Sequence, residues 1–458
     1  MNWLCNTSVF SNQPAIFTDV GGSISYLEME RLSSELVESV TEKDLVVLEC
    51  DNSVFSVLAY VGLVGKRVPT LLVDRNLADD LKSDLFAHYH VSVVIGNGDL
   101  KRLSPSGPAM HSDLALLLST SGSTGSPKLV RLTNSNLHAN ARQISTYLHL
   151  DDKSRAITSL PQQYSFGLSI INSHFLVGGS IVLTNRSVAE RAFWELFEVT
   201  NANSLSGVPA TFEMLRRIRF ERMVLPSLKT LAQAGGRLQA ELVEFFSKLG
   251  QAKGFDFYVM YGQTEATARM AYLPPSFSIS RSESIGFAIP EGKFELIDTN
   301  GSLIQQPGVQ GELVYQGPNV MFGYATNIGD LQKGDELGGV LRTGDIAERD
   351  SEGFYYIRGR IKRFVKLFGN RVNLDEVEKH LQSKSISVYI SGRDDLVVIF
   401  GLDQDSVQAG LAEFCKQFKF HHSGIKACVV DAIPRNESGK LQYNRLMEVF
   451  QSQMGGSK

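Results

Sequence analysis

Short apolar runs recur along this chain with helix-length segments between them, and that rhythm restricts its fold more than any other feature. "LVVLE" at 45–49, "TLLVD" at 70–74 and "VSVVI" at 91–95 open the series. Runs without an alternating polar face belong to strands covered on both sides, which are mostly parallel and joined by crossover helices. The pattern therefore predicts α/β architecture with mostly parallel sheets. It continues through "SIVLT" at 180–184, "LKTLAQA" at 228–234 and "FDFYVMYG" at 255–262. The helical half has its own signal in "SYLEMERLSSELVESV", where Ser25 and Glu28 make a capping-box pattern and Leu32, Leu36 and Val40 share one face.

The texture changes near residue 281. From there to about 360, many glycines and turns such as "TNG", "QPG" and "SEG" predict a small β-rich subdomain. After "RGR" at 358–360, "NLDEVEKHLQ" reads as a well-capped helix, and the remaining residues suffice for a small α+β domain. A chain of 458 residues is too long for one core. We expect an N-terminal domain over 1–360, with the β-rich subdomain at about 281–360, and a C-terminal α+β domain over 361–458.

Charge and cysteine usage narrow the function classes. Formal net charge is −4 and no long basic run occurs, which argues against nucleic acid. No stretch reaches about 18 consecutive apolar residues, so no membrane span is expected. The start has no basic segment leading into a long apolar one, and the four cysteines lack any C-x-x-C pair. Reduced thiols and a cytoplasmic location follow as expectations. The nine histidines contain no H-x-x-x-H and are read as surface or core residues.

One segment asks for a ligand. "STSGSTGSPK" at 119–128 sets small and hydroxylated residues directly after the apolar run "LALLL" of 114–118. Successive backbone N–H groups in such a loop form a concave anion site, and Ser and Thr add donors. Lys128 supplies a mobile charge for a phosphate chain. The loop follows a buried strand and is expected to lead into the helix of "TNSNLHANARQISTYL". Pro127 stands where a Walker-type loop needs its second glycine, and the spacing does not fit a G-x-S-x-G elbow either.

The loop resembles the phosphate loop of the adenylate-forming superfamily: acyl-CoA synthetases, aryl-CoA ligases, luciferases and peptide-synthetase adenylation domains. Downstream segments resemble the family's motifs in the family's order: "AGGRL" (234–238), "MYGQTEATARM" (260–270), "GELVYQGPNVMFGY" (311–324), "LRTGD" (341–345), "GRIKRFVKLFGNRVNLDEVE" (359–378) and "PRNESGKLQYNRL" (434–446). The resemblance implies an acid–thiol ligase dependent on ATP and Mg2+. A carboxylate attacks the α-phosphorus of ATP, giving an acyl-adenylate and pyrophosphate, and a thiol then displaces AMP. Both first reactants are anions, and at about 4 Å two unit charges repel by roughly 1 kcal/mol in water and about 4 at an effective dielectric of 20. Cations must stand where that charge collects.

The same resemblance implies the roles. Lys440 matches the catalytic lysine, Glu265 the Mg2+ carboxylate and Thr264 an α-phosphate donor. Thr120, Ser121, Gly122, Ser123, Thr124 and Gly125, with Lys128, would hold the β- and γ-phosphates. Gly235 and Gly236 would let adenine approach the backbone and Tyr261 would stack on it, with Gly262 and Gln263 in the same motif. Asp345 matches the carboxylate that accepts the ribose hydroxyls, and Arg360 the arginine reaching ribose and phosphate. Lys362 occupies the hinge about which the small domain rotates, and Gly369 a position near the pantetheine arm. Tyr164, Gly207 and Val208 fall in segments that line the acyl pocket. The stretch 160–179 holds no Asp or Glu to pair an ammonium, which favours an acid without an α-amine. Leu129 and Glu291 replace customary glycines, and the stretch before "DDLVVIF" is shorter than usual. The acceptor thiol is CoA or the phosphopantetheine of a carrier protein. Two other readings stand beside this one: an amino-acid adenylation enzyme loading a carrier protein, and a non-catalytic AMP-binding sensor or scaffold.

Overall fold

The structure, a computed structural model, describes residues 2–119, 128–367, 370–418, 422–435 and 441–455, apart from the side chains of 362, 364, 370, 371, 418, 423 and 455. Its contacts divide the chain into two compact units, Met1–Phe294 with Tyr315–Leu341, and Glu295–Val314 with Arg342–Lys458. The units do not divide at residue 360. Part of the expected β-rich stretch, 295–314 and 342–360, groups with the C-terminal residues.

The first unit is built on two large mixed sheets. In one, the strands run in the order Gly323–Ala325, Leu129–Thr133, Leu114–Ser119, Thr70–Asp74, Val46–Cys50, Val93–Gly96 and Asp99–Arg102. Its centre is parallel, from Leu114–Ser119 to Val93–Gly96, and antiparallel strands close both edges. The apolar runs at 45–49 and 70–74 are buried because helices cover them. Leu45, Val47, Leu71, Leu85, Leu114 and Leu117 share one core cluster.

The second sheet runs Phe287–Ala288, Ala271–Leu273, Asp256–Tyr261, Thr230–Gln233, Ser204–Gly207, Arg155–Ile157, Ser180–Leu183, Pro14–Thr18 and Ser23–Ser25. Six consecutive strands, Asp256–Tyr261 through Pro14–Thr18, are parallel. Four neighbours among them, Asp256–Tyr261, Thr230–Gln233, Ser204–Gly207 and Arg155–Ile157, send their carboxyl ends into candidate ligand-binding segments. Loops at that end of a parallel sheet are where open α/β folds bind ligands.

Two local expectations are corrected. The helix Tyr26–Leu36 is capped by Ser25, whose Oγ accepts from Glu28 N at 3.2 Å, but its buried face is Tyr26, Met29 and Ser33, while Leu32 and Leu36 are only half-buried. A neighbouring helix, Val54–Gly65, sets this face, because its Gly62 comes against the Ser33 carbonyl too closely for a larger residue at 62. Residues 120–127 also do not lead straight into a helix. Leu114–Ser119 and Leu129–Thr133 flank them as an antiparallel pair, and the helix Asn134–Tyr147 begins only after the second strand, with a Thr133–Asn136 capping box.

The second unit contains most of a four-stranded sheet, in the order Lys293–Ile297, Gly311–Gln316, Val340–Arg349 and Tyr355–Arg360. It also has a hairpin, Phe364–Leu367 with Asn370–Asn373, and a three-stranded sheet of Tyr389–Arg393, Leu396–Gly401 and Ile425–Val429. The helices Leu374–Ser383, Gln404–Phe418 and Tyr443–Gly455 accompany them. Asn373 caps the first, accepting from Asp375 N at 3.0 Å, as the sequence predicts. Among the described residues no helix is long and apolar enough to cross a membrane.

Candidate functional site

Of the residues expected in the first unit, Tyr164, Gly207, Val208, Gly235, Gly236 and those of 261–265 lie at or just beyond the carboxyl ends of the four neighbouring strands. Gly235 follows Thr230–Gln233 with φ +82°, and a Cβ on it would overlap the Tyr164 hydroxyl and lie 3.0 Å from Val208 Cγ1. Tyr164, Val208 and Gly235, from three separate segments, therefore meet at one point. Gly207 ends its strand beside them, and Gly236 faces Pro209. Burial pushes the Tyr164 phenol up to about 12, so it stays a neutral donor at this spot. Gln233, which the sequence reading passed over, fixes the turn. Its Nε2 donates to the carbonyls of Gly236 at 2.7 Å and Ala234 at 3.2 Å. A side chain-free turn held this way fits a flat base lying against the backbone.

On the next strand, Asp256–Tyr261 ends in the segment 261–265. A Cβ on Gly262 would overlap the Ala268 carbonyl, so only glycine allows the chain to double back there. Tyr261 lies 6.4 Å from Phe294 between ring centroids, and Gln263 Nε2 reaches the Tyr261 hydroxyl at 3.4 Å. Thr264 Oγ1 stands 3.2 Å from Ser165 Oγ, at the start of the helix Ser165–Leu176. Two hydroxyls thus face each other between the segment expected to take the nucleotide and the one expected to line the acyl pocket.

Glu265 is tied to the loop lysine through a residue to which no role was assigned. Tyr324 OH donates to Glu265 Oε1 at 2.8 Å, and Lys128 Nζ lies 3.6 Å above the centre of the Tyr324 ring. Tyr324 belongs to the edge strand beside Leu129–Thr133, pairing with Val130. Burial, and then the adjacent Glu265 carboxylate, push its phenol well above the usual tyrosine range. Arg131 secures this edge from within. It is 1 % exposed, ion-paired to Glu336, and donates to the carbonyls of Tyr324 (3.2 Å) and Lys333. Arg131 was invisible to the sequence reading because Glu336 stands 205 residues away.

In the second unit, Asp345 and Arg360 are cross-strand partners, and Arg360 Nε lies 2.9 Å from Asp345 Oδ1. Asp345 is buried within the strand Val340–Arg349, whereas Arg360 is half-exposed. Lys362 lies in the short 3-10 turn Ile361–Arg363. Next to it, Arg363 pairs with Asp375 at 2.7 Å and Glu378 at 3.1 Å, and lies 3.6 Å from the centre of the Tyr443 ring. Tyr443 OH donates to Glu378 Oε1 at 2.8 Å. Thr120, Ser121, Gly122, Ser123, Thr124, Gly125, Gly369 and Lys440 lie outside the described residues. On either side of 436–440, Arg435 and Leu441 form an antiparallel bridge, and Gln442 N donates to the Pro434 carbonyl at 2.9 Å.

The sequence pattern of the AMP-binding enzyme family matches residues 96–325, half of the chain. The chain belongs to that family. It is an acyl-adenylate-forming ligase of the acid–thiol class, as the order of its motifs leads one to expect. Relatives of this AMP-binding enzyme include the 2-succinylbenzoate–CoA ligase of Bacillus licheniformis, 30% identical over 348 residues that cover 73% of this chain and 70% of the relative. A probable CoA ligase of Humulus lupulus is 27% identical, with 76% and 68% covered. Among solved structures, o-succinylbenzoate CoA synthetase (MenE) of Bacillus subtilis with its acyl-adenylate intermediate superposes with a TM-score of 0.78 at 22% identity, covering 97% of both chains. ATP-bound MatB of Rhodopseudomonas palustris gives 0.78 at 20% identity, covering 98% and 99%. At these identities the likeness shows the fold of the AMP-binding enzyme.

Proposed function

We propose that this AMP-binding enzyme activates a carboxylic acid lacking an α-amine and passes the acyl group to CoA. One observation carries the reading: Tyr164, Val208, Gly235, Thr264 and Glu265 gather at the carboxyl ends of adjacent parallel strands, and Glu265 is linked through Tyr324 to Lys128. In this reading the Gly235–Gly236 turn and Tyr261 take the base, Asp345 and Arg360 the ribose, and residues 120–125 with Lys128 the outer phosphates. Glu265 would hold Mg2+, which supplies positive charge where two anions must approach. Thr264 orients the α-phosphate, and Lys440 brings an ammonium to the developing charge. Residues from 361 onward form the mobile part that delivers it, turning at Lys362, and Gly369 lines the path of the thiol.

The CoA ligases among the relatives support CoA as acceptor, and a carrier-protein phosphopantetheine is the alternative thiol. Four free cysteines accord with a reducing, cytoplasmic setting. The test is acid-dependent exchange of pyrophosphate into ATP across fatty, aryl, hydroxy and amino acids, followed by trapping with CoA or with a carrier protein. Exchange with amino acids alone, or AMP binding with no exchange for any acid, would overturn the proposal.

A further inference from the structure

The acid side of the site contains a buried charge with no counter-charge. Arg269, four residues past Glu265, is 2 % exposed. Its Nε donates to Ser169 Oγ at 3.1 Å, and its Nη1 lies 3.2 Å from Tyr147 OH and 3.3 Å from Met260 Sδ. The guanidinium carbon stands 4.9 Å from the centre of the Phe166 ring. All of these partners are neutral, and among the described residues no carboxylate lies within ion-pair distance of it. Arg131, also fully buried, is compensated by Glu336 and a set of carbonyls. An ionised group buried without a partner is costly enough that folds rarely retain one.

The surroundings of Arg269 are polar as well. Asn140, itself buried, donates to the Arg269 carbonyl at 3.0 Å and to Gln143 Oε1 at 3.4 Å. The position also belongs to the acid side of the site. Phe166 follows Ser165, whose Oγ faces Thr264, and the Tyr164 and Phe166 rings stand edge to face 6.3 Å apart. The guanidinium is therefore one ring removed from the point where Tyr164, Val208 and Gly235 meet.

We propose that the acid carries, besides the carboxylate to be adenylated, a second carboxylate, and that Arg269 is the residue that selects it. A planar guanidinium matches a carboxylate in bidentate fashion. The same cation repels an ammonium, which agrees with an acid lacking an α-amine. This inference rests on the ligase reading above and names its substrate class.

The test measures kcat/KM for acid-dependent pyrophosphate exchange with matched pairs: straight-chain ω-dicarboxylic acids and monocarboxylic acids of equal length, and aryl acids with and without a second carboxylate. The wild-type enzyme should favour the best diacid over its monoacid partner at least tenfold. Arg269→Met should lower that ratio by about ten- to a hundredfold, the size of a lost hydrogen bond to a charged group, and Arg269→Lys should keep part of the preference. A wild-type enzyme that favours monoacids, or an Arg269→Met enzyme with an unchanged ratio, overturns the inference and leaves the ligase reading standing. Failure of every acid to support exchange removes both. If Arg269→Met does not fold, the wild-type preference and the lysine variant decide the matter.

Discussion

Tyr324 joins two residues that stand 137 positions apart in the chain: its ring receives Lys128 and its hydroxyl holds Glu265. The hydroxyl holds one oxygen of the carboxylate that the proposed function assigns to Mg2+. Tyr324→Phe keeps the ring under the lysine and frees Glu265. Because a hydrogen bond to a charged group contributes about 1.5–3 kcal/mol, we expect exchange activity to fall about tenfold or more and the Mg2+ requirement to rise. A magnesium titration of exchange checks this, and an unmoved midpoint would show that the hydroxyl has no part in placing Glu265. His174 makes a separate prediction about stability. It is fully buried, its Nδ1 lies 2.8 Å from the Ile170 carbonyl, and burial, with a smaller contribution from Arg269, pushes its pKa down to about 4. The unfolded chain takes up a proton near the ordinary histidine value of about 6.5 that the folded chain refuses. The stabilising contribution is thus complete above that value and falls as pH drops from about 6.5 toward 4. Denaturant melts should show a loss of about 2 kcal/mol between pH 7 and pH 5 from this group, and His174→Gln should flatten that slope.

The elements place the site more than their individual residues do. Parallel strands with covered faces must be joined by crossovers, so neighbouring strands deliver their carboxyl ends to the same edge. The alternation of apolar runs and helix-length segments reveals that much. It does not reveal which face a helix turns inward: the Tyr26–Leu36 helix buries Ser33 because Gly62 of another helix makes room there, and Gly62 is 29 residues away. Nor does it show that Leu129–Thr133 turns back as a strand, since a run of five buried residues resembles the start of a helix as closely as a strand. The turn after Thr230–Gln233 gives a sharper test. Gly235→Ala puts a Cβ in a left-handed conformation costing roughly 1–2 kcal/mol and against the Tyr164 hydroxyl. The KM for ATP should rise at least tenfold. Adding Tyr164→Phe should recover part of that loss by removing the overlap while leaving the backbone strain, and no recovery would mean the two residues do not meet as described.

For the molecule as a whole, the side chain proposed to act on the developing charge, that of Lys440, belongs to the second unit. Residues 436–440 are bracketed by the Arg435–Leu441 bridge, and Tyr443, three residues beyond Lys440, is anchored by Glu378 and Arg363. Arg363 is itself next to Lys362, so buried charge connects the proposed turning point to the segment that carries the lysine. Lys440→Ala should reduce pyrophosphate exchange about a hundredfold or more, as expected for the loss of a positioned electrostatic catalyst. Thioester formation from supplied acyl-adenylate should persist, and an equal loss in both half-reactions would contradict the assigned role. The class of reaction was readable from order along the chain: "STSGSTGSPK", "AGG", "YGQTE", "RTGD" and "ESGK" are local patterns, and local spacing survives in a string of letters. The α/β class was readable for the same reason, because hydrophobic period is a short-range property. The folded chain alone disclosed Gln233, Tyr324, Arg131, Arg269 and the Arg363–Glu378–Tyr443 group. Most of their partners are distant in sequence, and the worth of a charge or hydroxyl depends on what surrounds it once water is removed.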